Sequence, residues 1–562
     1  MAAPVVKMLV FDGDHAAAGR WYYIALVLLV VVQSVPRLAR RLANLFPAVR
    51  ENSYKRKGPV NPLSLLIHRA TYLQLPFWPY YSTRTVLFVV AYVTLSAVFA
   101  AGSIQLRTSD AGYPRYGWLA MTNLCVAVLF ALRNSPLYYI FCLPFERTIE
   151  FHKWFGAGAV IFAWLHGGLY LRQWVEQDVV DFQFNYRPRL KFGPATASVL
   201  GLMILASLGP VRRKFWEAFY YMHVSLFLVA FILVNRHTDY ALPYTLPPLM
   251  LWSVDRISRF VRGWLRPITM SAVSYPGGDV TRILVRQRHF WGRAYNAGQY
   301  VFINVPRAGL AEWHPASIVT AAPPEAPVSP TASFPQKLVA AICGGNGGDS
   351  NAEYELIFKN VGKFTRRLAE ASVGGQKLTA RVDGPYGAWD VVADSYGLVV
   401  LIAGGIGVTP IMSVLQTVLN NSAQQQRDGS ASSTSLQNKS RPRVVELVWA
   451  VTNIEHVSWF TGELSAARDM GARVRIYVTR SEMRNDHTVA VAGEEGAPPF
   501  EVEFGRSDLV CVCEDIKNSH PDMDAAVGVC GPASMVHSTR DAVRRCSDRN
   551  SIWHLHSEAF DL

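Results

Sequence analysis

The chain has 562 residues, 50% of them apolar, a formal net charge of +13 and seven cysteines. The apolar residues concentrate before about Arg266 and ordinary globular sequence follows, which excludes a wholly soluble chain. The cysteines form no disulfide framework. Cys125 and Cys142 lie in or beside apolar runs, and the other five fall in the soluble part, where thiols stay reduced.

Seven segments have the length and composition to span a bilayer: roughly 17–35, 84–104, 117–133, 152–172, 194–210, 218–236 and 240–256. The first is expected to be a retained helix with its N-terminus outside, because its positive charges follow the apolar run and no small-residue cleavage site appears. Arg37, Arg40, Arg41, Lys55, Arg56 and Lys57 follow the first span, Arg212 to Lys214 the fifth, and Arg256, Arg259, Arg262 and Arg266 the last. These loops are expected on the cytosolic side. The loop after the fourth span conflicts with this, carrying Arg172, Arg187, Arg189 and Lys191, although Glu176, Asp178 and Asp181 nearly offset them. The charge therefore reads mainly as a topology signal that also favours anionic lipid and an anionic cofactor, and no nucleic-acid partner is expected.

Four histidines fall within two of the apolar segments: His152 and His166 in one, His223 and His237 in the other. Both pairs are fourteen residues apart, nearly four helical turns or about 21 Å, so each pair shares one helix face. A lone histidine in an apolar helix is usually a packing residue. Two equally spaced pairs, in the fourth and sixth spans, instead suggest two helices side by side with two stacked sites, each able to hold a haem iron from both sides.

Beyond the last span, Ile283 to Val285, Tyr300 to Val305 and Glu355 to Phe358 are short strand-like runs, as in an antiparallel barrel, interrupted by insertions at 322–335 and 343–350. After about Gly397 buried strands alternate with helices: Leu398 to Ala403, Val444 to Ala450, Val474 to Thr479 and Ala526 to Cys530. Residues 420–442, rich in Gln, Ser and Asn, read as a disordered loop, and Cys511 and Cys513 as strand residues. No Asp-x-Asp-x-Asp-Gly calcium loop is visible.

Glu312-Trp313-His314-Pro315-Ala316-Ser317-Ile318 resembles the flavin-binding strand of the ferric reductase and NADPH oxidase superfamily. Val361-Gly362-Lys363-Phe364-Thr365 resembles the same family's pyrophosphate turn, and Asp383-Gly384-Pro385-Tyr386-Gly387 its closing segment. Leu401-Ile402-Ala403-Gly404-Gly405-Ile406-Gly407-Val408-Thr409-Pro410 runs from strand through glycine turn to a proline-bearing helix start suited to a dinucleotide phosphate. Cys530-Gly531-Pro532 resembles the nicotinamide-side motif, and Phe560 the aromatic that stacks on the flavin, although this chain runs on through Asp561 and Leu562.

The resemblance covers about residues 84–562. It implies a multi-span α-helical transmembrane bis-haem domain followed by a cytosolic ferredoxin-NADP reductase-like module. The domains would be 1–83, a first helix and basic loop; 84–266, the haem domain; 267–396, the FAD-binding barrel; and 397–562, the NAD(P)-binding domain. It further implies cofactors FAD, two haems b and NADPH, with an inner haem on His152 and His223, an outer haem on His166 and His237, and ferric chelates or another extracytosolic acceptor. No side chain is expected to act as a catalytic acid, base or nucleophile. The plasma membrane is the expected location.

Two departures bear on substrates. Many relatives place an arginine at the end of the second strand of the nucleotide domain, where Thr452 stands here; Arg480, at the end of the next strand, is a candidate substitute. Superoxide-producing relatives carry an extra histidine one turn after the outer ligand, where this chain has Tyr170, which favours metal reduction over an oxidase. A non-catalytic haem-binding membrane subunit is the reading from another class.

Overall fold

The computed structural model describes residues 15–43, 59–73, 83–101, 113–135, 143, 145–265, 267–274, 279–288, 295–310, 312–320, 351–373, 377–387, 389, 393, 396–431, 444–480 and 500–558. They fall into two compact units, Met1–Leu38 with Val86–Phe260 and Ala39–Thr85 with Val261–Leu562.

The first unit is helical. Its helices are α1 (His15–Ala43), then, after the short α2 (Pro62–Thr71) that belongs to the second unit, α3 (Thr83–Ala101), α4 (Tyr113–Phe130), α5 (Phe145–Glu176), α6 (Val180–Tyr186), α7 (Phe192–Ser207), α8 (Gly209–Lys214), α9 (Trp216–His237) and α10 (Leu242–Gly263). Among the described residues, five helical segments are long and apolar enough to cross a membrane: Ala16–Val35, Thr83–Ala101, Phe145–Glu176, Pro188–Ser207 and Trp216–His237. Seven spans were expected. The other two segments do form helices, α4 and α10, but lie outside this set. α4 buries Arg115, Thr122 and Asn123, while α10 carries Pro247 and Pro248 and a charged second half with Asp255, Arg256, Arg259 and Arg262.

A polar network ties α1, α3 and α4 together where apolar packing alone would let them slide. Tyr22 and Ser96 hydroxyls pair at 2.7 Å, Tyr92 donates to Asn123 Oδ1 at 2.8 Å, and Asn123 Nδ2 donates to Tyr22 and to the Leu119 carbonyl. With every member paired, such a network strengthens in a low-dielectric interior. Gly158 on α5 makes room for it, since a Cβ there would overlap the Tyr92 hydroxyl.

The second unit contains two six-stranded sheets. The first, in order β4-β3-β6-β1-β2-β5, is antiparallel throughout: β1 (Ile268–Ser274), β2 (Val280–Arg288), β3 (Tyr300–Asn304), β4 (His314–Ser317), β5 (Asn351–Lys359) and β6 (Lys377–Tyr386). An antiparallel bridge from Ile318 to Leu356 joins the two edge strands, so the sheet closes into the expected barrel, with helix α11 (Lys363–Ala371) following β5. Met270, Ile283, Val301, Ile303 and Leu356 fill its interior.

The second sheet is parallel, in order β10-β9-β8-β7-β11-β12: β7 (Leu398–Gly404), β8 (Val444–Val451), β9 (Arg473–Val478), β10 (Glu501–Phe504), β11 (Ala525–Cys530) and β12 (Trp553–Glu558). Its helices are α12 (Val408–Ala431), α13 (Thr461–Asp469), α14 (Leu509–Ser519) and α15 (Ala533–Cys546). The chain starts in the middle of the sheet at β7, works outward to β10, and returns to β7's other side at β11. That reversal places a crevice at the carboxyl ends of β7 and β11.

Two expectations are corrected. Cys511 and Cys513 lie on α14, not on a strand: Asp508 caps that helix by accepting from Val510 N–H at 2.9 Å, and Leu509, Val512, Cys513 and Ile516 bury one face at helical spacing. The alternating Leu-Val-Cys-Val-Cys run concealed that period of 3.6. Likewise α12 continues to Ala431, through the first half of the segment read as disordered. Its buried start, Val414, Leu415, Val418 and Leu419, nucleates a helix that the tolerant Ala and Gln residues extend. Residues 432–443, the insertions at 322–335 and 343–350, and Phe560 lie outside the described residues.

Residues 39–85 group with the sheets instead of with the first span because α2 docks on β12. Val60 N–H donates to the Arg549 carbonyl at 2.7 Å, and Arg69 donates through Nε and Nη2 to the Ser547 carbonyl. Within the same unit Trp389 is wedged between barrel and parallel sheet. A Cβ on Gly528 of β11 would come within 2.4 Å of its ring, and one on Gly298 within 2.7 Å. Gly528→Ala is expected to cost about 1–3 kcal/mol of stability and so lower the thermal midpoint of the purified chain, whereas Gly462→Ala, with open space around it, leaves the midpoint unchanged or raised; scanning calorimetry of both variants checks this.

Candidate functional site

The four membrane histidines meet as the spacing predicts. The rings of His152 and His223 lie 6.0 Å apart between centroids, and those of His166 and His237 6.4 Å apart. α5 is one continuous helix of 32 residues, so both of its histidines face the same neighbour, α9, at two levels. A six-coordinate iron with two axial imidazoles needs about 2 Å from metal to nitrogen and about 1 Å more to each ring centre, roughly 6 Å in all. The observed separations fit that requirement.

The outer nitrogens are also engaged. His152 Nδ1 donates to the Ala127 carbonyl at 2.9 Å and His166 Nδ1 to the Tyr113 carbonyl at 2.8 Å, while Ser207 Oγ lies 3.4 Å from His223 Nδ1. Donation from Nδ1 leaves Nε2 as the lone-pair nitrogen, the arrangement metal-bound imidazoles adopt. His237 Nδ1 has no hydrogen-bond partner among the described residues, the Arg189 carbonyl beside it falling short of bonding geometry. Glycines seat two of the rings: a Cβ on Gly117 would stand 3.0 Å from His166, and one on Gly193 2.9 Å from His237. No clustered group of His, Cys, Asp or Glu forms another metal site among the described residues.

Arg115 was not singled out by sequence reasoning. It sits two residues after Tyr113, the His166 acceptor; it is only 1% exposed, and its Nε and Nη2 have no hydrogen-bond partner among the described residues. A buried guanidinium left this way is costly unless an anion completes it, and the carboxylates of a haem would do so. The sequence shows only a Tyr-Pro-Arg-Tyr helix start near an apolar span, which does not by itself mark a buried guanidinium.

In the barrel, the residues resembling a flavin site converge on one end. β4 carries His314, Pro315 and Ser317, pairing with β3 so that Ser317 lies opposite Tyr300. Tyr300 is also opposite Tyr386, and Tyr300, Phe302 and Tyr386 form an aromatic cluster with Trp313 packed against it. The His314 ring stacks on Phe364 at 3.9 Å, which brings β4 to the start of α11. There Gly362 caps the helix: its N–H donates to Thr365 Oγ1 at 3.0 Å, and only that oxygen would meet a Cβ on Gly362, at 3.9 Å. The open helix start suits a phosphate. Gly384 and Gly387, at φ +146 and +86, let β6 turn closely past Val301 and Tyr300.

Two residues not anticipated hold this end in place. Asn304, fully buried, donates through Nδ2 to the carbonyls of Gly309, Leu310 and Glu312, fixing the loop that delivers Trp313. Arg262 donates to Asp383 at 3.0 Å and to the Tyr386 hydroxyl at 3.2 Å.

At the sheet's switch point, β7 ends in Gly404, Gly405 at φ +54, and Gly407, followed by Thr409 and Pro410 in α12. Thr409 Oγ1 donates to the Ile406 carbonyl, and the buried Trp449 indole donates to the Gly405 carbonyl, both at 3.0 Å. Among the described residues no atom lies within 4 Å of a Cβ position on Gly405, so the turn is open where a diphosphate would approach. Cys530, Gly531 and Pro532 end β11 against this turn. A Cβ on Gly407 would strike the Cys530 carbonyl at 2.5 Å, and one on Gly531 would stand 3.2 Å from Gly404 backbone. Burial pushes the Cys530 thiol pKa up, with the Glu558 carboxylate adding to it, so this sulfur stays protonated and is no nucleophile. Arg480 is exposed, and its N–H donates to the Thr452 carbonyl at 3.2 Å, so the two strand ends compared in the sequence are neighbours.

On the reading that each imidazole pair holds one haem, Gly193→Val is expected to unseat His237 and remove one of two haem absorbance signals while the other persists, read in the reduced-minus-oxidised spectrum of the purified chain. Asn304→Ala is expected to cost about 2–3 kcal/mol by unpairing three carbonyls and to lower the bound-flavin content, measured by released-flavin fluorescence.

Three family descriptions match the chain in order: a ferric reductase like transmembrane component over residues 116–234, an FAD-binding domain over 266–390 and a ferric reductase NAD binding domain over 396–544. The chain is similar to ferric reduction oxidase 8, mitochondrial, of Arabidopsis thaliana, 25% identical over 67% of this chain and 48% of that protein. It is also similar to ferric reductase transmembrane component 4 of Saccharomyces cerevisiae, 26% identical over 72% of this chain and 53% of that protein. Among solved structures, the FAD/NAD binding domain of a nitric oxide dioxygenase from Vibrio cholerae covers 52% of this chain and all of its own length at 17% identity and a TM-score of 0.32. The chain spans about half the length of the curated relatives it matches. With its apolar helices, its barrel and its parallel sheet in that order, it is an integral membrane protein of the ferric reductase and NADPH oxidase superfamily.

Proposed function

We propose that this chain is a transmembrane oxidoreductase passing electrons from cytosolic NADPH, through FAD and two haems b, to ferric chelates or cupric ions on the other side of the membrane. The observation that carries the proposal is the two facing imidazole pairs, at 6.0 and 6.4 Å, on the same two helices of a chain that also has FAD-binding and NAD-binding domains. When bound, the flavin would convert a hydride into single electrons and the haem irons would relay them.

The chain's own residues bind, orient and neutralise. His152 with His223, and His166 with His237, would hold the two irons, their Nδ1 bonds to Ala127 and Tyr113 keeping the first imidazole of each pair turned for ligation. Arg115 would neutralise a haem carboxylate. Ser317 and the Gly362–Thr365 helix start would hold the flavin, with Tyr386 and Trp313 shaping its aromatic wall. Gly404, Gly405 and Gly407 would receive the dinucleotide phosphates, and Arg480 beside Thr452 the 2′-phosphate that distinguishes NADPH from NADH. Cys530, Gly531 and Pro532 would border the nicotinamide.

Basic residues after the first, fifth and last expected spans support a cytosolic nucleotide module, and the plasma membrane is the proposed location. The competing oxidase reading is disfavoured at Tyr170. Its ring lies 5.1 Å from that of His166, where superoxide-producing relatives carry a second histidine.

In oriented vesicles with NADPH on the cytosolic face, anaerobic reduction of an impermeant ferric chelate on the opposite face is expected. NADPH-dependent haem reduction with no iron reduction, followed by superoxide once oxygen is admitted, would move the assignment to an oxidase. Arg480→Ala is expected to raise KM for NADPH about tenfold and leave that for NADH nearly unchanged, as initial-rate measurements with each donor would show.

A further inference from the structure

α2 is amphipathic in the sense opposite to that of a helix on a soluble domain. Its polar side faces protein: His68 Nε2 is 2.9 Å from the Trp553 carbonyl, Arg69 donates to the Ser547 carbonyl, and the Tyr72 hydroxyl just beyond it accepts from Leu555 N–H at 3.1 Å. Its apolar side faces outward. Leu63, Leu66, Ile67 and Ala70, at helical i, i+3, i+4 and i+7 spacing, are all exposed, with Leu63 at 63%, Leu66 at 66% and Ile67 at 60%. Leu73 continues the stripe at 48% exposure. A contiguous apolar face at such exposure is unstable in water and stable at a lipid surface.

The place of α2 in the chain selects lipid as the occupant. The Leu73 carbonyl accepts from Thr83 Oγ1 at 2.7 Å, and Thr83 is the first residue of a helix long and apolar enough to cross a membrane. The end of α2 is therefore hydrogen-bonded to a point where the chain enters the bilayer. The preceding stretch carries Arg37, Arg40, Arg41, Arg50, Lys55, Arg56 and Lys57 against the single acid Glu51, a charge that complements anionic headgroups. The nine residues joining Leu73 to Thr83 include Phe77, Trp78, Tyr80 and Tyr81, residue types that partition to the headgroup level.

We propose that α2 is an interfacial helix, its Leu63, Leu66, Ile67, Ala70 and Leu73 face seated in the headgroup region of the leaflet on the nucleotide-domain side, so that β12 is held to the bilayer surface through α2. Nothing in this depends on which acceptor the protein reduces.

The test uses the full chain in nanodiscs of phosphatidylcholine with phosphatidylserine, with Cys142, Cys343 and Cys511 replaced by Ser and a nitroxide placed at Leu66→Cys or Ile67→Cys. Collisions with oxygen, which concentrates in lipid, are compared with collisions with a water-soluble nickel chelate, and Asp515→Cys on exposed α14 serves as the aqueous reference. The expected result is an oxygen-to-nickel ratio several-fold above the Asp515 reference at both α2 positions. It should fall toward that reference when Leu63→Glu is added to the labelled chain. A ratio equal to the reference would overturn the proposal by showing an aqueous face. A label reached by neither probe would overturn it by showing protein cover, and spin-spin broadening in that state would identify a second copy as the cover.

Discussion

Everything on the membrane side depends on how four imidazoles are desolvated. A neutral imidazole in an apolar helix must satisfy both nitrogens, and this chain divides the task between two kinds of partner. Backbone carbonyls at Ala127 and Tyr113 take the Nδ1 protons of the α5 histidines, which turns the remaining nitrogens toward the rings on α9. The surrounding sequence serves that geometry. Gly117 and Gly193 give up side chains so that rings can fit, and the Tyr22, Tyr92 and Asn123 network holds α1, α3 and α4 in register without spending apolar packing. A membrane interior gives little apolar driving force between helices, so polar pairing and close approach must supply specificity.

The soluble module solves the converse problem, bringing backbone N–H groups near anions without side chains in the way. Its glycines work in pairs across strands. A Cβ on Gly531 would stand 3.2 Å from the Gly404 backbone, one on Gly404 2.7 Å from Pro532, and one on Gly407 2.5 Å from the Cys530 carbonyl, so the ends of β7 and β11 act as one rim. Trp449 stabilises this from behind, its buried indole donating to the Gly405 carbonyl; in the barrel, buried Asn304 plays the corresponding part for the loop that delivers Trp313. Arg282 adds a link between barrel and parallel sheet, donating to Glu463 at 2.6 Å and to the Trp459 carbonyl at 3.0 Å.

Legibility in the sequence followed periodicity. The histidine spacing, the strands of the parallel sheet and the glycine turn could be read because a helix repeats every 3.6 residues, a strand every two, and a phosphate turn needs glycines at set positions. Failures came where two periods overlap or where a tertiary partner decides. Leu509 to Cys513 alternates like a strand yet is helical once Ile516 is counted, and α12 outruns its apolar face because its buried first half carries the rest. Arg115, Asn304 and Trp389 were invisible for another reason. Each acts through atoms brought close by folding, with no local pattern to mark a buried guanidinium or a carbonyl clamp. Tyr170 and Thr452 could be noticed only against the family pattern, and their neighbours, His166 and Arg480, give them meaning.

The docking of α2 on β12 has a consequence for synthesis. His68 and Trp553 are separated by 485 positions in the chain, so α2 leaves the ribosome long before its partner strand exists. At about 5–20 residues per second that interval is roughly half a minute to a minute and a half, during which the first membrane helices are already inserted. Throughout that time the His68 and Arg69 side of α2 has no strand to bind. A lipid surface beside the newly inserted helices would serve as the waiting place, making assembly of the nucleotide domain end, not begin, at the membrane.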